Sequence, residues 1–463
     1  MAALFILSRN IPFTPDVYVG RRVETPAAPH IREPSLDFEV TRRLLETNLR
    51  DTWFFFSNRL REIKSSSKGT KIEGDLNYLI KEGAERIRTL LTVPQLRNSC
   101  VLPYIFRVLQ YDLRRLGQLD GADIWRERGI RELSDMVQRR LHRLQNPPDC
   151  ATAKKLICSI VSQMCGLGCE IHHLICCFMA AYGSHRTIII NSPGWHYTQK
   201  GWEDVFQPLS QTCTTFSKEE ITQWPGKPDS QTVLFIGVEA QPKPDHGPLA
   251  IPKDISDRLI RLHDDPSAWW VGQFIKYVFK LQPSVQEVIN KAEKSFNFQH
   301  PVVGVHVRRT DKKQEASYHQ LEEYMEQVEE YYDGLQIFDT NLTRRIYLSS
   351  EEPAIFKEAQ EKYPHYEVLY HRKSLDVVNN VNRFTLASLK DFIVDLHFLS
   401  RSDYIVVSFS SNVGRLVYGL MQSLSPDAST RSFSVDSPYF FYNQRSGYVR
   451  TRFLHHSDRL AYL

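Results

Sequence analysis

Short apolar runs of β-strand length alternate with helix-length amphipathic segments from residue 150 onward, and this alternation constrains the fold more than any other feature. Parallel strands cannot be joined by tight turns, so each needs a crossover of a dozen or more residues, which is usually a helix. The alternation therefore predicts an α/β fold with largely parallel sheets. The strand-like runs are Thr187–Ile190, Val233–Val238, Val302–Val307, Arg345–Leu348 and Tyr404–Val407, and the helical patterns include Ile255–Leu262, Tyr318–Tyr332 and Leu386–Leu399.

The N-terminal third has a different pattern. Residues 1–35 contain five prolines and no apolar period, which predicts an irregular tail. Apolar residues then recur on one helical face between Val40 and Ile63, and again between Arg128 and Leu144. We interpret residues 36–149 as a coiled-coil-like helical stem. Its helices either bury their stripes in the core of this chain or pair with a second copy, which would make the protein a homodimer.

The charge balance argues against a protein that binds nucleic acid. The chain has 58 Lys and Arg against 54 Asp and Glu, a formal net charge of +4, and the basic residues are spread along it. Binding to a phosphate backbone needs a clustered basic excess. No apolar run approaches the roughly 20 residues that span a bilayer. The opening run Ala2–Leu7 is short and has no basic flank, so it is a poor signal peptide.

The segment VVGVHVRRTD, from Val302 to Asp311, is the strongest indication of a ligand site. In an open α/β sheet the ligand binds beyond the carboxyl ends of the strands, and this strand ends with His306, Arg308 and Arg309. Two arginines suit a phosphate because each guanidinium group can make two charge-assisted hydrogen bonds. The alternative is an ion pair between Arg309 and Asp311 at the strand end.

Three further charged residues have side chains that could take part in chemistry. Lys312 and Glu315 follow the same strand, and a carboxylate there could remove a proton from a hydroxyl group. An exposed surface residue is the alternative for Glu315. Asp395 lies among apolar residues in a helical pattern, so it needs a partner. A helix cap or a buried salt bridge is its alternative.

The cysteines leave two interpretations open. Cys165, Cys169, His172 or His173, and Cys176 fall on one face of a helix with a spacing that suits zinc. Three disulfides are the rival interpretation. The sequon Asn341-Leu342-Thr343 favours the secretory route, where disulfides persist.

Several long blocks together resemble the α1,6-fucosyltransferases that modify the core of N-glycans, and the similarity runs from about residue 35 to about residue 429. The blocks are WRERGIRELSDMVQRR at Trp125–Arg140, NPPDC at Asn146–Cys150, CGLGCEIHHLICCFMAAYG at Cys165–Gly183, DRLIRLHDDPSAWWVGQF at Asp257–Phe274, HVRRTDK at His306–Lys312 and VDLHFLSRSDYIVVSFSSNVGRLVY at Val394–Tyr418.

This resemblance implies a GT-B-like catalytic region that follows the helical stem. Residues 150–295 would form an N-terminal α/β subdomain, residues 296–430 a Rossmann-like donor-binding subdomain, and residues 431–463 a C-terminal remnant. The implied activity is an inverting transfer of L-fucose from GDP-β-L-fucose to the 6-hydroxyl of the innermost GlcNAc of N-glycans on glycoproteins. It needs no metal or other cofactor, and the implied compartment is the Golgi lumen.

The resemblance also implies roles for individual residues. Arg308 would hold the β-phosphate with support from Arg309, and Glu315 would be the general base beside Lys312. His306 and Asp395 would recognise guanine, since a carboxylate can accept from both the ring N–H and the exocyclic amine of that base. The remaining implied contacts are Tyr197, Asp311, Ser411 and Asn412 toward the donor and Glu351 and Glu352 near the acceptor.

The same resemblance implies three disulfides and makes the zinc interpretation less favourable. The pairs would be Cys150 with Cys213, Cys158 with Cys177, and Cys165 with Cys169. Cys100 and Cys176 lie outside these pairs, as free thiols or in an intermolecular link.

This chain departs from the family pattern at several positions. Glu351 and Glu352 replace two aspartates, Asn412 replaces a glutamine, Gln163 replaces a lysine, and the loop between Asp311 and Glu315 is one residue shorter. Val407 and Gly414 stand where the family has a fourth disulfide. We expect neither the family's N-terminal membrane anchor nor, in Phe433–Leu463, its C-terminal Src-homology type barrel. These departures leave a second hypothesis, a nucleotide- or glycan-binding homologue with impaired catalysis.

Overall fold

Two parallel β-sheets flanked by helices form the body of this protein in a computed structural model. The structure describes Leu36 and Glu39 and then residues 122–160, 165–217, 221–236, 250–295, 297–309, 318–336, 340–371, 384–441 and 444–445. Both sheets are parallel and both are crossed by helices, so the predicted α/β fold is confirmed.

The first sheet has the strand order β2-β1-β4-β3, and every neighbouring pair is parallel. Its strands are β1 (Lys155–Ser159), β2 (Thr187–Asn191), β3 (Ile221–Gln223) and β4 (Thr232–Phe235). The crossover between β1 and β2 is the apolar helix α2 (Leu167–Gly183). The predicted strand Val233–Val238 ends earlier than expected, at Phe235.

The second sheet has the order β7-β6-β5-β8-β9 and is also parallel throughout. Its strands are β5 (Val303–Val307), β6 (Arg345–Ser350), β7 (Glu367–Leu369), β8 (Tyr404–Val407) and β9 (Ser432–Ser434). The helices between them are α6 (Leu321–Gln336), α7 (Ala354–Lys362), α8 (Leu386–Arg401) and α9 (Asn412–Leu424). Three further helices connect the two sheets in sequence: α3 (Lys253–Leu262), α4 (Pro266–Val278) and α5 (Pro283–Ser295).

Local sequence signals explain where several helices begin. Asp265 caps α4, because its carboxylate accepts a 3.0 Å hydrogen bond from the amide of Ala268. Thr385 and Ser388 form a capping box at the start of α8. The predicted helix at Tyr318 begins three residues later, at Leu321, because Glu323 accepts a 2.7 Å hydrogen bond from the amide of Gln320 and so fixes the first turn there.

Helices α4 and α9 pack closely enough to join the two halves of the body. A Cβ atom on Gly272 of α4 would lie 2.9 Å from the Cβ of Gln422 and 3.0 Å from the carbonyl oxygen of Gly419, both on α9. A larger residue at position 272 would therefore force the helices apart. This contact ties a helix from the N-terminal half to the last helix of the C-terminal half.

Helix α1 (Ala122–Gln145) begins six residues earlier than its sequence pattern predicts, and its apolar stripe is buried within this chain. Ile130, Leu133, Val137 and Leu141 are all buried, and Ser134 donates a 2.8 Å hydrogen bond to Gln273 of α4. Of the predicted earlier helix, the structure describes Leu36 and Glu39, which are helical, and the rest lies outside the described residues. The buried carboxylate of Glu39 pairs with Arg126 at 2.9 Å.

The second half of the body extends past the predicted boundary at residue 430. Strand β9 follows that boundary, and the side chains of Tyr439 and Phe441 are buried in the main core. Within residues 431–441, strand β9 and the side chains of Tyr439 and Phe441 therefore belong to the folded body. A two-stranded ribbon, β10 (Phe440–Phe441) with β11 (Gln444–Arg445), ends the described part of the chain.

Three disulfides stabilise the first half, and they join the pairs that the resemblance implied: Cys150 with Cys213, Cys158 with Cys177, and Cys165 with Cys169. Because Cys165 and Cys169 are bonded to each other, they do not provide the thiolates that the zinc interpretation requires. Cys176 is buried on α2, and Cys100 lies outside the described residues. Within the described ranges, no helix combines the length and the apolar composition needed to cross a membrane.

Candidate functional site

Polar and charged side chains collect where strands β5, β6 and β8 end. The three strands are neighbours and run in the same direction, so their carboxyl ends meet at one edge of the second sheet. Arg308 and Arg309 follow β5, Glu351 and Glu352 follow β6, and Ser411 lies in the turn after β8. The sheet topology thus brings together residues that are far apart in the sequence.

His306 and Asp395 lie on the same face of this sheet. His306 is in register with Ser349 of β6, and the Ser349 hydroxyl donates a 3.0 Å hydrogen bond to the carboxylate of Asp395 on α8. Tyr347, two residues earlier on β6, donates a second hydrogen bond of 2.7 Å to the same carboxylate. All four side chains are buried. The carboxylate of Asp395 thus has two strand hydroxyls among its partners.

Burial keeps His306 neutral. Desolvation, with a smaller contribution from the charge of Arg308, lowers the pKa of His306 to about 3. Its Nδ1 atom is buried and has no hydrogen-bond partner among the described residues. A buried imidazole nitrogen in this position can serve a bound ligand as a donor or an acceptor.

The two arginines have different surroundings. Arg308, whose side chain is 9% exposed, forms an ion pair with Glu351, which is 40% exposed. Arg309 is enclosed more completely: it pairs with Glu358 of α7 at 3.2 Å and donates a 3.1 Å hydrogen bond to the carbonyl oxygen of His319. The guanidinium group of Arg309 also lies 5.0 Å from the ring centre of Tyr318. Arg309 therefore holds the segments around the strand end, whereas Arg308 lies next to a partly exposed carboxylate.

The start of α9 is a helix N-terminus, where backbone N–H groups and the helix dipole favour an anion. Ser411 is the N-cap, and its hydroxyl accepts a 3.3 Å hydrogen bond from the amide of Val413. Arg415 donates to the side-chain oxygen of Asn412 at 2.5 Å, which adds a buried positive charge to the first turn. Val407 and Gly414, the two positions at which the resemblance implied a family disulfide, are neighbours, since a Cβ on Gly414 would lie 3.2 Å from the Cβ of Val407.

The first turn of α2 reaches the same place from the first half of the chain. A Cβ on Gly168 would lie 3.1 Å from the backbone carbon of Asn412, so the starts of α2 and α9 are in contact. The amide of Leu167, the first residue of α2, donates a 3.1 Å hydrogen bond to the hydroxyl oxygen of Tyr197. Tyr197 and Asn412, both predicted donor contacts, are thus linked through two consecutive residues of α2.

Glu170, also on the first turn of α2, is a buried acidic residue that the sequence interpretation missed. It accepts a 3.0 Å hydrogen bond from the indole of Trp195, and burial raises its pKa to about 8. The signal was available: Glu170 lies in an apolar helical run, which is the criterion that selected Asp395.

Three of the predicted site residues cannot be placed. Asp311, Lys312 and Glu315 lie outside the described residues, as does Gln163. The predicted base, the ion pair between Arg309 and Asp311 and the shorter loop therefore stay predictions.

What the described residues can do chemically follows from their charges. A guanidinium group, a helix N-terminus and serine hydroxyls suit a multiply charged phosphate group. A buried carboxylate and a neutral histidine on one face of the sheet suit a base that has N–H donors along its edge. Together these groups have the chemical character needed to bind a nucleotide.

The chain matches the family model of α-(1,6)-fucosyltransferase N- and catalytic domains over residues 20–440. An α-(1,6)-fucosyltransferase of Drosophila melanogaster is 40% identical over 420 residues, which cover 89% of this chain and 65% of that protein. An α-(1,6)-fucosyltransferase of Caenorhabditis elegans is 33% identical over 345 residues, which cover 72% of this chain and 61% of that protein. The chain thus spans less than two thirds of the length of these curated relatives.

Solved structures are similar at a much lower level. A mutant of Arabidopsis thaliana FUT1 in complex with GDP has a TM-score of 0.38 at 14% identity and covers 64% of this chain and 76% of its own. The fucosyltransferase NodZ from Bradyrhizobium has a TM-score of 0.35 at 12% identity and covers 57% of this chain and 92% of its own. Similarity at this level does not contribute to the assignment of site residues.

Proposed function

This chain belongs to the α-(1,6)-fucosyltransferase family, and from that premise we propose that it transfers L-fucose from GDP-β-L-fucose to the 6-hydroxyl of the innermost GlcNAc of N-glycans, with inversion at the sugar carbon. The observation that carries the proposal is the convergence at the carboxyl edge of the second sheet. Arg308, the start of α9 and the pair of His306 and Asp395 meet there.

The proposed donor site divides the nucleotide between two groups of residues. Asp395 and His306 recognise guanine from the face of the sheet, where both side chains are buried. Arg308 and the N-terminus of α9 at Ser411 and Asn412 bind the diphosphate. Because Arg308 is paired with Glu351, phosphate binding to this guanidinium replaces or shares a carboxylate partner.

The proposed reaction is a single displacement. Glu315 accepts the proton of the acceptor's 6-hydroxyl group. At the same time the oxygen of that hydroxyl group forms a bond to C1 of fucose, and the bond between C1 and the β-phosphate oxygen breaks. The electron pair of the broken bond leaves with GDP as negative charge, which Arg308 and the helix N-terminus stabilise. The charge needs no metal ion under this proposal, so we expect the activity to persist in EDTA.

The experiment uses the purified full chain, GDP-fucose and a biantennary N-glycan with terminal GlcNAc, with product detection by mass. We expect a mass increase of one deoxyhexose, and fragmentation should assign it to the reducing-end GlcNAc. GDP binding without any transfer would favour the alternative, a catalytically impaired binding homologue. Transfer to a different sugar of the glycan would overturn the acceptor assignment, and loss of activity in EDTA would overturn the metal-free mechanism.

We also propose that the protein works in the Golgi lumen. Three disulfides are typical of proteins that fold in an oxidising compartment. The sequon at Asn341 lies in an exposed turn before β6, at the edge of the sheet opposite the proposed donor site. If the chain is made in the secretory pathway, peptide N-glycosidase should lower its apparent mass, and Asn341→Gln should remove that shift. An unglycosylated chain with reduced cysteines in cells would overturn the proposal.

We propose that any homodimer forms through the predicted helix within residues 36–63. The apolar stripe of α1 is covered by this chain's own helices and is not available for a partner. Light scattering of the full chain should give twice the monomer mass, and removal of residues 36–63 should give a monomer if that helix is the contact.

A further inference from the structure

The first turn of α2 holds the turn Trp195–Tyr197 at two points. At one point the amide of Leu167 donates to the hydroxyl oxygen of Tyr197 at 3.1 Å. At the other, the indole N–H of Trp195 donates to Glu170 at 3.0 Å. Leu167 is the first residue of α2 and Glu170 the fourth, so both contacts come from the first turn of this helix. The turn is therefore fixed to the helix at both of its ends.

Glu170 is enclosed on all sides by this arrangement. It is 2% exposed, its Oε1 atom binds Trp195, and its Oε2 atom has no hydrogen-bond partner among the described residues. The facing group from the turn is His196, whose Nε2 atom lies 3.5 Å from Oε1, and burial lowers the pKa of this histidine. Burial raises the pKa of Glu170 to about 8, so its carboxyl group is protonated at neutral pH.

The aromatic side chains of the turn pack against one another, so the position of Trp195 determines the position of Tyr197. The two rings make an edge-to-face contact with centres 5.0 Å apart, and Trp195 is fully buried. His196 packs on Tyr197 with ring centres 4.4 Å apart. If Trp195 shifts, the tyrosine ring that packs against it must shift as well.

The opposite side of the same helical turn touches the second half of the body. Gly168 lies against the backbone of Asn412 and Val413, where a Cβ atom would come within 3.1 to 3.2 Å. Helix α2 thus sets the distance between Tyr197 and the start of α9. Both belong to the donor site of the proposed function.

We propose that Glu170 is a positioning residue of the donor site, which acts through Trp195 to hold Tyr197 at a fixed distance from the N-terminus of α9. The proposal rests on the proposed function for the identity of the donor. Its structural part, the attachment of the Trp195–Tyr197 turn to α2, stands on the contacts above. Loss of the Glu170 acceptor should loosen Tyr197 without removing any group that touches the donor.

The test compares Glu170→Gln with Glu170→Ala. Glutamine keeps an acceptor oxygen of the same reach for the Trp195 indole, whereas alanine leaves that buried N–H without its acceptor. We expect Glu170→Ala to raise the KM for GDP-fucose and the Kd for GDP about tenfold, with kcat changed less than about threefold. A tenfold change corresponds to roughly 1.4 kcal/mol, about the free energy of one lost hydrogen bond. Glu170→Gln should restore both constants to near the wild-type values.

A control separates positioning from general destabilisation. Ile171→Val removes a buried methyl group from the neighbouring residue of α2, so it should lower the unfolding temperature without changing KM. If Glu170→Ala lowers the unfolding temperature but leaves KM and Kd at wild-type values, Glu170 is a structural residue and the proposal is wrong. The proposal is also wrong if the Glu170→Gln variant folds but its KM and Kd do not return to near the wild-type values.

Hydrogen exchange tests the attachment independently of the enzyme activity. The amide of Leu167 is protected by Tyr197, so it should exchange faster in Glu170→Ala and at the wild-type rate in Glu170→Gln. Unchanged exchange in the alanine variant would overturn the proposal even if the protein transfers fucose. If the wild type does not bind GDP, the proposed function fails, and the exchange result still decides whether Glu170 positions Tyr197.

Discussion

The hydroxyl group of Tyr347 donates a 2.7 Å hydrogen bond to the carboxylate of Asp395 in the interior of the second half of the protein. Burial, with a further contribution from the Asp395 charge, raises the pKa of Tyr347 well above its ordinary value, so the tyrosine keeps its proton. Ser349 donates to the other oxygen of the same carboxylate. Two strand residues thus fix the orientation of the group that we propose for guanine recognition.

Replacement of Asp395 by alanine should weaken GDP binding by about 1 to 3 kcal/mol, because buried donors of the base lose their acceptor. The discrimination between GDP and IDP should fall at the same time, since IDP lacks the exocyclic amine that the carboxylate accepts from. Calorimetry with both nucleotides measures the two effects. Tyr347→Phe is the matched control: it removes one support of the carboxylate and should weaken GDP binding less. Wild-type affinity and selectivity in Asp395→Ala would show that the residue is structural.

Replacement of Arg308 by lysine should lower donor affinity and turnover strongly while the unfolding temperature changes little. Lysine keeps the charge beside Glu351 but cannot make two parallel hydrogen bonds to a phosphate group. Arg345→Lys is the control, since Arg345 pairs with Glu367 at 2.8 Å at the opposite edge of the same sheet. GDP titration and steady-state rates measure both variants. Equal effects of the two substitutions would show that Arg308 does not bind the donor.

The sequence predicted the fold where the side-chain pattern is regular. Strand Tyr404–Val407 contains three consecutive β-branched residues and strand Val303–Val307 has valine at every second position, and β-branched residues favour strands. Helix α4 was missed because 12 of its 13 residues are buried, so it has no polar face and no helical period. Strands β3 and β9 have three residues each, too few for an alternation to appear.

The candidate site was predictable in its residue types but not in its pairings. The position of Arg308 at a strand end follows from the sequence, whereas its ion pair with Glu351 depends on the register between β5 and β6. The contact of Gly168 with Asn412 joins residues from the two halves of the chain, and no local pattern signals such a contact. Tertiary packing alone determines these pairings.

The pH dependence of stability should change in Glu170→Gln. The pKa of Glu170 is raised by burial from 4.5 to about 8, so between roughly pH 5 and 8 the folded state holds a proton that the unfolded state has released. The folded wild type therefore loses stability as the pH rises through this range, and a glutamine, which does not titrate, does not. Urea unfolding at several pH values should show that the free energy of unfolding of the variant rises relative to that of the wild type up to about pH 8.

The control for this measurement is Glu361→Gln, which changes a carboxylate that is 66% exposed on α7. The difference in the free energy of unfolding between this control variant and the wild type should stay nearly constant over the same pH range. If the Glu170→Gln and wild-type curves run parallel from pH 5 to 8, then Glu170 is ionised in the folded protein, and the burial argument for this residue is wrong.

The last prediction concerns Glu315, the proposed base. Glutamine at this position has nearly the same shape but cannot accept the proton of the acceptor hydroxyl, so GDP should bind normally while transfer falls by about 10²- to 10⁴-fold. Glu361→Gln serves again as the control and should leave both quantities unchanged. Calorimetry with GDP and a mass-based transfer assay separate binding from chemistry. A variant that transfers fucose at the wild-type rate would exclude Glu315 as the base. If the wild type binds GDP well but transfers fucose no faster than the variant, the binding-homologue hypothesis would replace the proposal that this protein is an active enzyme.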